Sequence, residues 1–356
     1  MKECRVKDIC IKGSSNLKQK DVEGKKGLYP VYGASGIISS IDTYHQENEY
    51  IAIVKDGSGI GRVSFMPPKS SVIGTMQYIL PKEGYDIRYI GYCLQSLGLN
   101  KYKQGAAIPH IYFRDYGERN IVVSENINEQ RRIVSYLDSS FKLIDEIKNK
   151  ALKSLTEAKA LFQSALAEAM EPKEGTVMER IGDVFTTYAG GTPLKSQKDY
   201  YEGGEIPWLR SGEVCKKYIS ETELYITQKG MDNSSAKFYP ENTVVVAMYG
   251  ATAAQVGILK IKATSNQAVC GIIPHKDFIP EYVYYWFLFV QDDLASQAQG
   301  GAQPNISQIK IKNVLIPIIN KEEQKRIVSH LDKLSSKVRA IEEKYQKMVE
   351  ECDALK

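Results

Sequence analysis

The sequence lacks the features of a membrane protein, a disulfide scaffold or a metalloprotein. Its six cysteines form no CxxC pair, and with only four histidines in 356 residues no zinc-ligand spacing occurs. The most apolar window, YVYYWFLFV at 282–290, is too short to cross a bilayer, and the N-terminus has no signal-peptide core. We therefore expect a cytoplasmic protein with reduced thiols and no metal site.

Motifs for nucleotide or acyl chemistry are also missing. The stretch DGSGIG at 56–61 is rich in glycine, but β-rich sequence resumes at 62–65, where a dinucleotide fingerprint requires a helix. MPPK at 66–69 lacks the amide and the aromatic residue of an amino-methyltransferase tetrapeptide, and no GxxxxGK[ST] loop occurs. The spacing shows no Ser/His/Asp grouping. We expect no catalytic residues and no cofactor in this chain.

Charge is a weak signal. Lys and Arg number 47 against 43 Asp and Glu; the net charge is +4 in residues 1–125, 0 in 126–172, −1 in 173–319 and +1 in 320–356. Lys12, Lys18 and Lys20 belong to a basic run that suits sequence-independent phosphate contact, although a solvated surface explains it equally well. Composition alone neither proves nor excludes a nucleic-acid binder.

The most informative feature is an internal repeat. EQRRIVSYLD at 129–138 returns as EQKRIVSHLD at 323–332, and the chain is long enough for about two to three domains. The repeat predicts two similar mixed α/β modules, each followed by a helix. Further matches occur in the same order: YPVYGASG (29–36) with IPWLRSG (206–212), YIAIVKDG (50–57) with TVVVAMYG (243–250), RYIGYCL (88–94) with EYVYYWF (281–287), and GAAIPHI (105–111) with GAQPNI (301–306).

Each decamer begins a long amphipathic helix. Asn126 and Asn320, each three residues before a glutamate, predict capping boxes, and Pro172 ends the first helix. Apolar residues recur at spacings of three and four, as in a coiled-coil seam, and two such rods are expected to pair antiparallel. The predicted seam comprises Ile133, Leu137, Phe141, Ile144, Leu155 and Phe162 in the first helix, and Ile327, Leu331, Leu334, Val338, Ile341 and Met348 in the second.

The expected organisation is a first module at 1–125, a helix at 126–172, a second module at 173–319 and a C-terminal helix at 320–356. Two such modules, each followed by an EQxRIVSxLD helix, with GGTP (190–193) and IPWLRSGEV (206–214) in the second, resemble the specificity subunit of type I restriction–modification enzymes. The resemblance covers essentially the whole chain.

This resemblance implies an α/β (α+β) fold with two tandem target recognition domains, separated by two long antiparallel coiled-coil helices in a pseudo-twofold arrangement. The chain would be a non-catalytic subunit, each domain reading one half of a bipartite, asymmetric site in double-stranded DNA. The helices would set the spacing and dock two modification subunits carrying S-adenosylmethionine. Restriction and motor subunits would join the full complex.

Candidate DNA contacts are polar side chains in the loops of the modules. Arg, Lys, Asn and Gln read base edges, whereas Ser, Thr and Tyr hold phosphates. Trp208 is expected in the core, and a turn that only packs the domain explains GGTP as well as a DNA contact does. The candidates are Thr192, Ser196, Lys198, Arg210, Tyr249, Thr252, Gln267, Gln303 and Asn305 in the second module, and Tyr32, Ser35, Lys55, Ser58, Arg62, Thr75, Gln77 and His110 in the first.

Two other functions fit the same sequence. One is the specificity subunit of a related bipartite system whose partner fuses nuclease and methylase. The other is a coiled-coil scaffold whose modules bind proteins, which the weak charge would favour.

Overall fold

The computed structural model describes residues 1–105, 109–297 and 305–355. They form two compact units, residues 1–146 and residues 147–355. Across these ranges every helix is too short or too polar to cross a membrane.

The first unit contains the first module and the start of a 44-residue helix. Its sheets have the strand orders β2–β8–β5–β6, β4–β3–β7 and β1–β9, and among the described strands of this unit only β3 and β7 pair in parallel. The elements in chain order are β1 (Lys2–Arg5), α1 (Val6–Ile9), β2 (Cys10–Ser14), α2 (Gln19–Val22), β3 (Tyr29–Gly33), β4 (Gly36–Ile41), β5 (Tyr50–Val54), β6 (Val63–Met66), β7 (Ser71–Val72), β8 (Met76–Pro81), α3 (Ile87–Ser96), α4 (Phe113–Tyr116), β9 (Asn120–Val123) and α5 (Ile127–Met170).

The centre of this module is β5, which is buried at all five positions. Ile51 and Ile53 belong to one apolar cluster, while Tyr50, Ala52 and Val54 belong to another. Because successive side chains of a strand point to opposite faces, both faces of β5 are covered. This explains why the strand is a continuous apolar run in the sequence.

The second module repeats this topology. Its sheets have the orders β11–β18–β15–β16–β13, β14–β12–β17 and β10–β19, so β13 is an addition to the four-stranded plan. The predicted duplication and fold class are confirmed. The elements are β10 (Met178–Arg180), α6 (Ile181–Val184), β11 (Thr187–Ala189), β12 (Ile206–Leu209), β13 (Tyr218–Ile219), β14 (Leu224–Ile226), α7 (Gln228–Asp232), β15 (Val244–Ala247), β16 (Val256–Leu259), β17 (Thr264–Ser265), β18 (Val269–Ile272), α8 (Pro280–Phe289), α9 (Gln291–Ser296), α10 (Gln308–Lys312), β19 (Leu315–Pro317) and α11 (Lys321–Ala354).

Asparagine caps begin both long helices. The Asn126 side chain accepts from the backbone N–H of Asn128 at 2.9 Å, and that of Asn320 accepts from the N–H of Glu323 at 2.9 Å. The glutamates do not complete the predicted capping boxes, because their carboxylates accept hydrogen bonds from other side chains. Glu129 accepts from the Ser124 hydroxyl, and Glu323 pairs with the neighbouring Arg326.

The glutamine of each decamer binds the helix to its own module through hydrogen bonds to backbone groups. Gln130 is buried; its side-chain oxygen accepts from the N–H of Asp86 at 2.7 Å, and its amide nitrogen donates to the carbonyl of Ser124 at 2.8 Å. Gln324 repeats this arrangement, accepting from the N–H of Ile279 at 2.8 Å. Since an amide both donates and accepts, one side chain satisfies backbone groups of both kinds.

The aspartate of each decamer makes a second attachment. Asp138 accepts from the Tyr92 hydroxyl, and Asp332 accepts from the Tyr285 hydroxyl. Burial, followed by the hydrogen bond to Asp332, raises the pKa of Tyr285, which keeps its hydroxyl protonated as the donor. In the second module, Lys217 also forms an ion pair with Asp332.

Within the second unit, residues 147–170 of α5 run antiparallel to α11. Lys148 near one end pairs with Asp353, Phe162 and Val338 border the same cavity, and Met170 shares a core with Ile327. Sequence numbers therefore rise along one helix as they fall along the other, as the sequence predicts.

Burial along the predicted seam is uneven. Ile341 is 39% exposed, whereas Leu166 and Met170, absent from the predicted seam, are buried. In the first unit Ile133 packs on the core of its own module, and the Phe141 ring lies 5.6 Å from that of Tyr92. The other seam positions of the described chain are buried at Ile327, Leu331 and Val338, and half-buried at Leu137, Ile144, Leu155, Phe162, Leu334 and Met348.

Candidate nucleic-acid interface

The second module has an open cavity of about 480 Å³ at the carboxyl ends of two parallel strands. β12 and β17 pair with Leu209 opposite Ser265. Arg210 and Asn266, the residues that follow, therefore lie side by side, and the N–H of Asn266 donates to the carbonyl of Leu209 at 2.9 Å. The pairing thus joins segments that are more than fifty residues apart in the sequence.

Four of the predicted DNA contacts meet at this cavity. Thr192, Lys198, Arg210 and Gln267 line it, and the Thr192 hydroxyl donates to the side-chain oxygen of Gln267. Ser196 is exposed on the loop between Thr192 and Lys198. Cations, amides and hydroxyls thus surround one depression, the mixture of groups that contacts phosphates and base edges.

The two glycines of GGTP permit this assembly by close packing. A Cβ on Gly190 would lie 2.1 Å from the Ser265 hydroxyl, and one on Gly191 would lie 2.3 Å from the backbone nitrogen of Ala236. Trp208 is buried and its indole donates to the carbonyl of Gly191 at 3.0 Å, which confirms its expected core position. The glycines serve packing, and the next residue, Thr192, reaches the cavity.

A second polar group in this module forms at the end of β15. Tyr249 bridges to Asn305 through the backbone, and Thr252 lies in the short 3-10 turn that follows. Gln303 lies outside the described residues. Tyr249, Thr252 and Asn305 are thereby brought together from two distant segments.

The first module has the equivalent group at the end of β5. Asp56 bridges to His110 as Tyr249 does to Asn305, and the His110 ring lies 2.5 Å from the Asp56 carboxylate. The N–H of Lys55 donates to the carbonyl of Thr75 at 2.9 Å, so three predicted contacts lie together here.

Ser58 and Arg62 lie in the glycine turn that joins β5 to β6. Gly57, Gly59 and Gly61 have φ of +82°, +82° and +80°, values that favour glycine, and the strands on either side pair antiparallel. The glycine-rich stretch therefore joins two antiparallel strands. Arg62 also borders a cavity of about 620 Å³ in this unit.

The remaining predicted contacts of the first module are dispersed. Lys12 on β2 and Lys18 and Lys20 around α2 are exposed, as is Ser35, while Tyr32 is half-buried on β3.

Gln77 is buried in the first module and does not reach the protein surface that could contact DNA. It is 5% exposed and its amide donates to the Tyr116 hydroxyl at 2.6 Å. Because both faces of β8 are covered, we leave Gln77 out of the proposed interface.

The parallel-strand edge differs between the modules. In the first, β3 and β7 pair with Tyr32 opposite Val72, so Gly33 and Ile73 occupy the places of Arg210 and Asn266. Ile73 is buried. The same edge is thus apolar in the first module and polar in the second.

Among the described residues, no three His, Cys, Asp or Glu side chains are grouped to hold a metal ion.

Known proteins share both the sequence pattern and the fold. Residues 1–157 and 173–351 match the family model of the type I restriction modification DNA specificity domain. The EcoR124I/EcoR124II specificity subunit of Escherichia coli is 26% identical over 276 residues, which cover 74% of this chain and 67% of that protein.

Two solved structures resemble the whole chain. A chain from a type I R-M system has a TM-score of 0.78 at 17% identity, covering 99% of this chain and 95% of its own. The HsdS subunit from Thermoanaerobacter tengcongensis has a TM-score of 0.59 at 16% identity, with coverages of 99% and 94%. These identities are low, so they show a common fold, while the family match covers both modules. The chain therefore belongs to the type I restriction–modification DNA specificity family, as a specificity subunit with two DNA specificity domains in tandem.

Proposed function

We propose that each module reads one half of a bipartite, asymmetric site in double-stranded DNA. The observation that carries this proposal is the pair of equivalent strand edges, which have the same topology and different side chains. Base edges are distinguished by the donors and acceptors presented to them. The second module has the polar Arg210 and Asn266 at this edge, whereas the first has the buried Gly33 and Ile73 there, so the two modules are expected to select different half-sites.

The residues proposed to contact DNA are the predicted set without Gln77. In the second module the proposed contacts line one cavity and are Thr192, Lys198, Arg210 and Gln267. In the first module they lie at the end of β5 and are Lys55, Thr75 and His110. The exposed lysines of the first module add sequence-independent phosphate contacts.

The proposed organisation keeps recognition at 1–125 and 173–319 and assigns residues 126–172 and 320–356 to the helices. We propose that the helices space the half-sites and dock two modification subunits, which bind S-adenosylmethionine and transfer the methyl group. Restriction and motor subunits join for cleavage. In this proposal the chain has no catalytic role and acts in the cytoplasm.

Methylome sequencing of cells carrying the complete system tests the proposal. We expect one split, asymmetric methylated motif, which disappears when the gene for this chain is deleted and returns when it is restored. The proposal fails if the modification subunits are expressed and every methylated motif is unchanged by the deletion.

A further inference from the structure

The polar cavity of the second module contains one side chain suited to a particular base. We infer that Arg210 reads a guanine in the half-site of the second module, an inference that rests on the proposed recognition of DNA. Glu213 and Glu223 hold the guanidinium of Arg210 in position before DNA binds. Arg210 and Glu213 are adjacent to the end of β12, and Glu223 precedes β14, its neighbour in the sheet.

Glu213 is the fixed part of this arrangement. Its side chain is only 12% exposed, and it accepts from the backbone N–H of Arg210 at 2.8 Å and from that of Glu223 at 2.7 Å. One of its oxygens also lies 3.6 Å from Nε of Arg210. A single carboxylate therefore fixes the backbone on both sides of the guanidinium.

Glu223 is the exchangeable part. Its carboxylate pairs with Nη2 of Arg210, but its side chain is 67% exposed. An ion pair so exposed to water is weak, so an incoming acceptor can replace it. Nε of Arg210 is buried beside Glu213 and has no hydrogen-bond partner among the described residues, so a base would meet the terminal nitrogens of the guanidinium.

The acceptor that fits is the major-groove edge of guanine. The guanidinium presents donors in a planar fork, and guanine offers O6 and N7 at matching positions, the most common specific contact between proteins and DNA. Arg210 is half-exposed and lines the cavity together with Lys195 and Lys198. These two lysines can contact the phosphates next to the base. Glu223 would then leave Nη2 to the base.

The equivalent strand edge of the first module has no counterpart of Arg210. Gly33 takes the position of Arg210, and the buried Ile73 takes that of Asn266. The inferred contact therefore belongs to the second half-site alone.

The test uses the complex of this chain with its modification subunits and duplexes carrying the methylated motif found above. Each guanine of the second half-site is replaced in turn by 7-deazaguanine, which lacks the N7 acceptor. With the wild-type chain we expect one replacement to weaken binding by on the order of 10- to 100-fold.

Variants assign that loss to one side chain. Arg210→Ala should bind the unmodified and the 7-deaza duplexes with equal affinity, because alanine has no donor for N7. Arg180→Ala, which removes an exposed arginine from β10 of the same module, should keep the wild-type sensitivity. Glu223→Gln should also keep it, because guanine displaces this side chain.

The inference is overturned if the second half-site contains no guanine, or if Arg210→Ala retains the wild-type loss at every guanine. Failure of the wild-type complex to prefer any split site would instead overturn the proposed function, and the inference with it.

Discussion

Removing the Gln324 side chain should destabilise the second module far more than an average surface change. Gln324 is 0% exposed; it accepts from the N–H of Ile279 at 2.8 Å and donates to the carbonyls of Asp277 and Ile319 at 2.9 and 3.0 Å. In Gln324→Ala all three backbone groups lose their partner. A buried polar group left unpaired costs about 1–3 kcal/mol.

Water that enters the space left by the amide would satisfy part of this deficit, so we expect a loss of about 3 kcal/mol rather than the sum of the three penalties. With a urea slope of about 3 kcal/mol/M, the unfolding midpoint falls by about 1 M.

Tryptophan fluorescence is the assay, because the only two tryptophans, Trp208 and Trp286, lie in the second module. The matched control is Gln130→Ala, which removes the equivalent side chain from the first module. We expect it to leave the tryptophan transition in place, since Gln130 bonds to Gly84, Asp86 and Ser124. A change below about 0.5 kcal/mol for Gln324→Ala would refute the role of this amide.

Three further changes test other parts of the structure. Asp332→Asn weakens the attachment to Tyr285 and should lower the stability of the second module by about 2 kcal/mol in the same assay, whereas an unchanged midpoint would remove Asp332 from the attachment. Gly190→Ala places a methyl group 2.1 Å from the Ser265 hydroxyl and should cost about 3 kcal/mol, while Gly212→Ala, with nothing within 4 Å, should be nearly neutral; equal midpoints would contradict the packing role. Burial raises the pKa of Tyr239 and Tyr285 above their ordinary value of 10.0, so unfolded chains lose these protons first as the pH rises past about 10. Urea midpoints should therefore fall as the pH rises above about 10, and a rise of the midpoints in that range would contradict this direction.

The repeat made the architecture predictable, because the two copies support each other. Neither module alone has a strong signature, but a glycine turn between two β-rich runs and a capped helix recur in the same order in both. The sequence also contains a signal for the attachment of the helices. Glutamine and aspartate keep their places in EQRRIVSYLD and EQKRIVSHLD although neither is apolar, and these two residues attach each helix to its module.

The grouping of the candidate contacts could not be derived in the same way. Arg210 and Gln267 meet because β12 and β17 pair in parallel, and no local pattern specifies which distant strands pair. The burial of Gln77 could not be predicted either. Alternation of polar and apolar residues along a strand identifies the outward face only when one face of the sheet is exposed to water. Strand β8 is covered on both faces, and a polar residue on it is bonded within the core.

The central claim is that each module selects its half-site independently, and a module exchange tests it most directly. Residues 173–319 are replaced by the second module of another specificity subunit with a different split site, and the methylome is sequenced in cells that supply the modification subunits. We expect one half of the methylated motif to become that of the donor while the other half and the spacing stay unchanged. A motif altered in both halves, or one still identical to the original, would contradict the account.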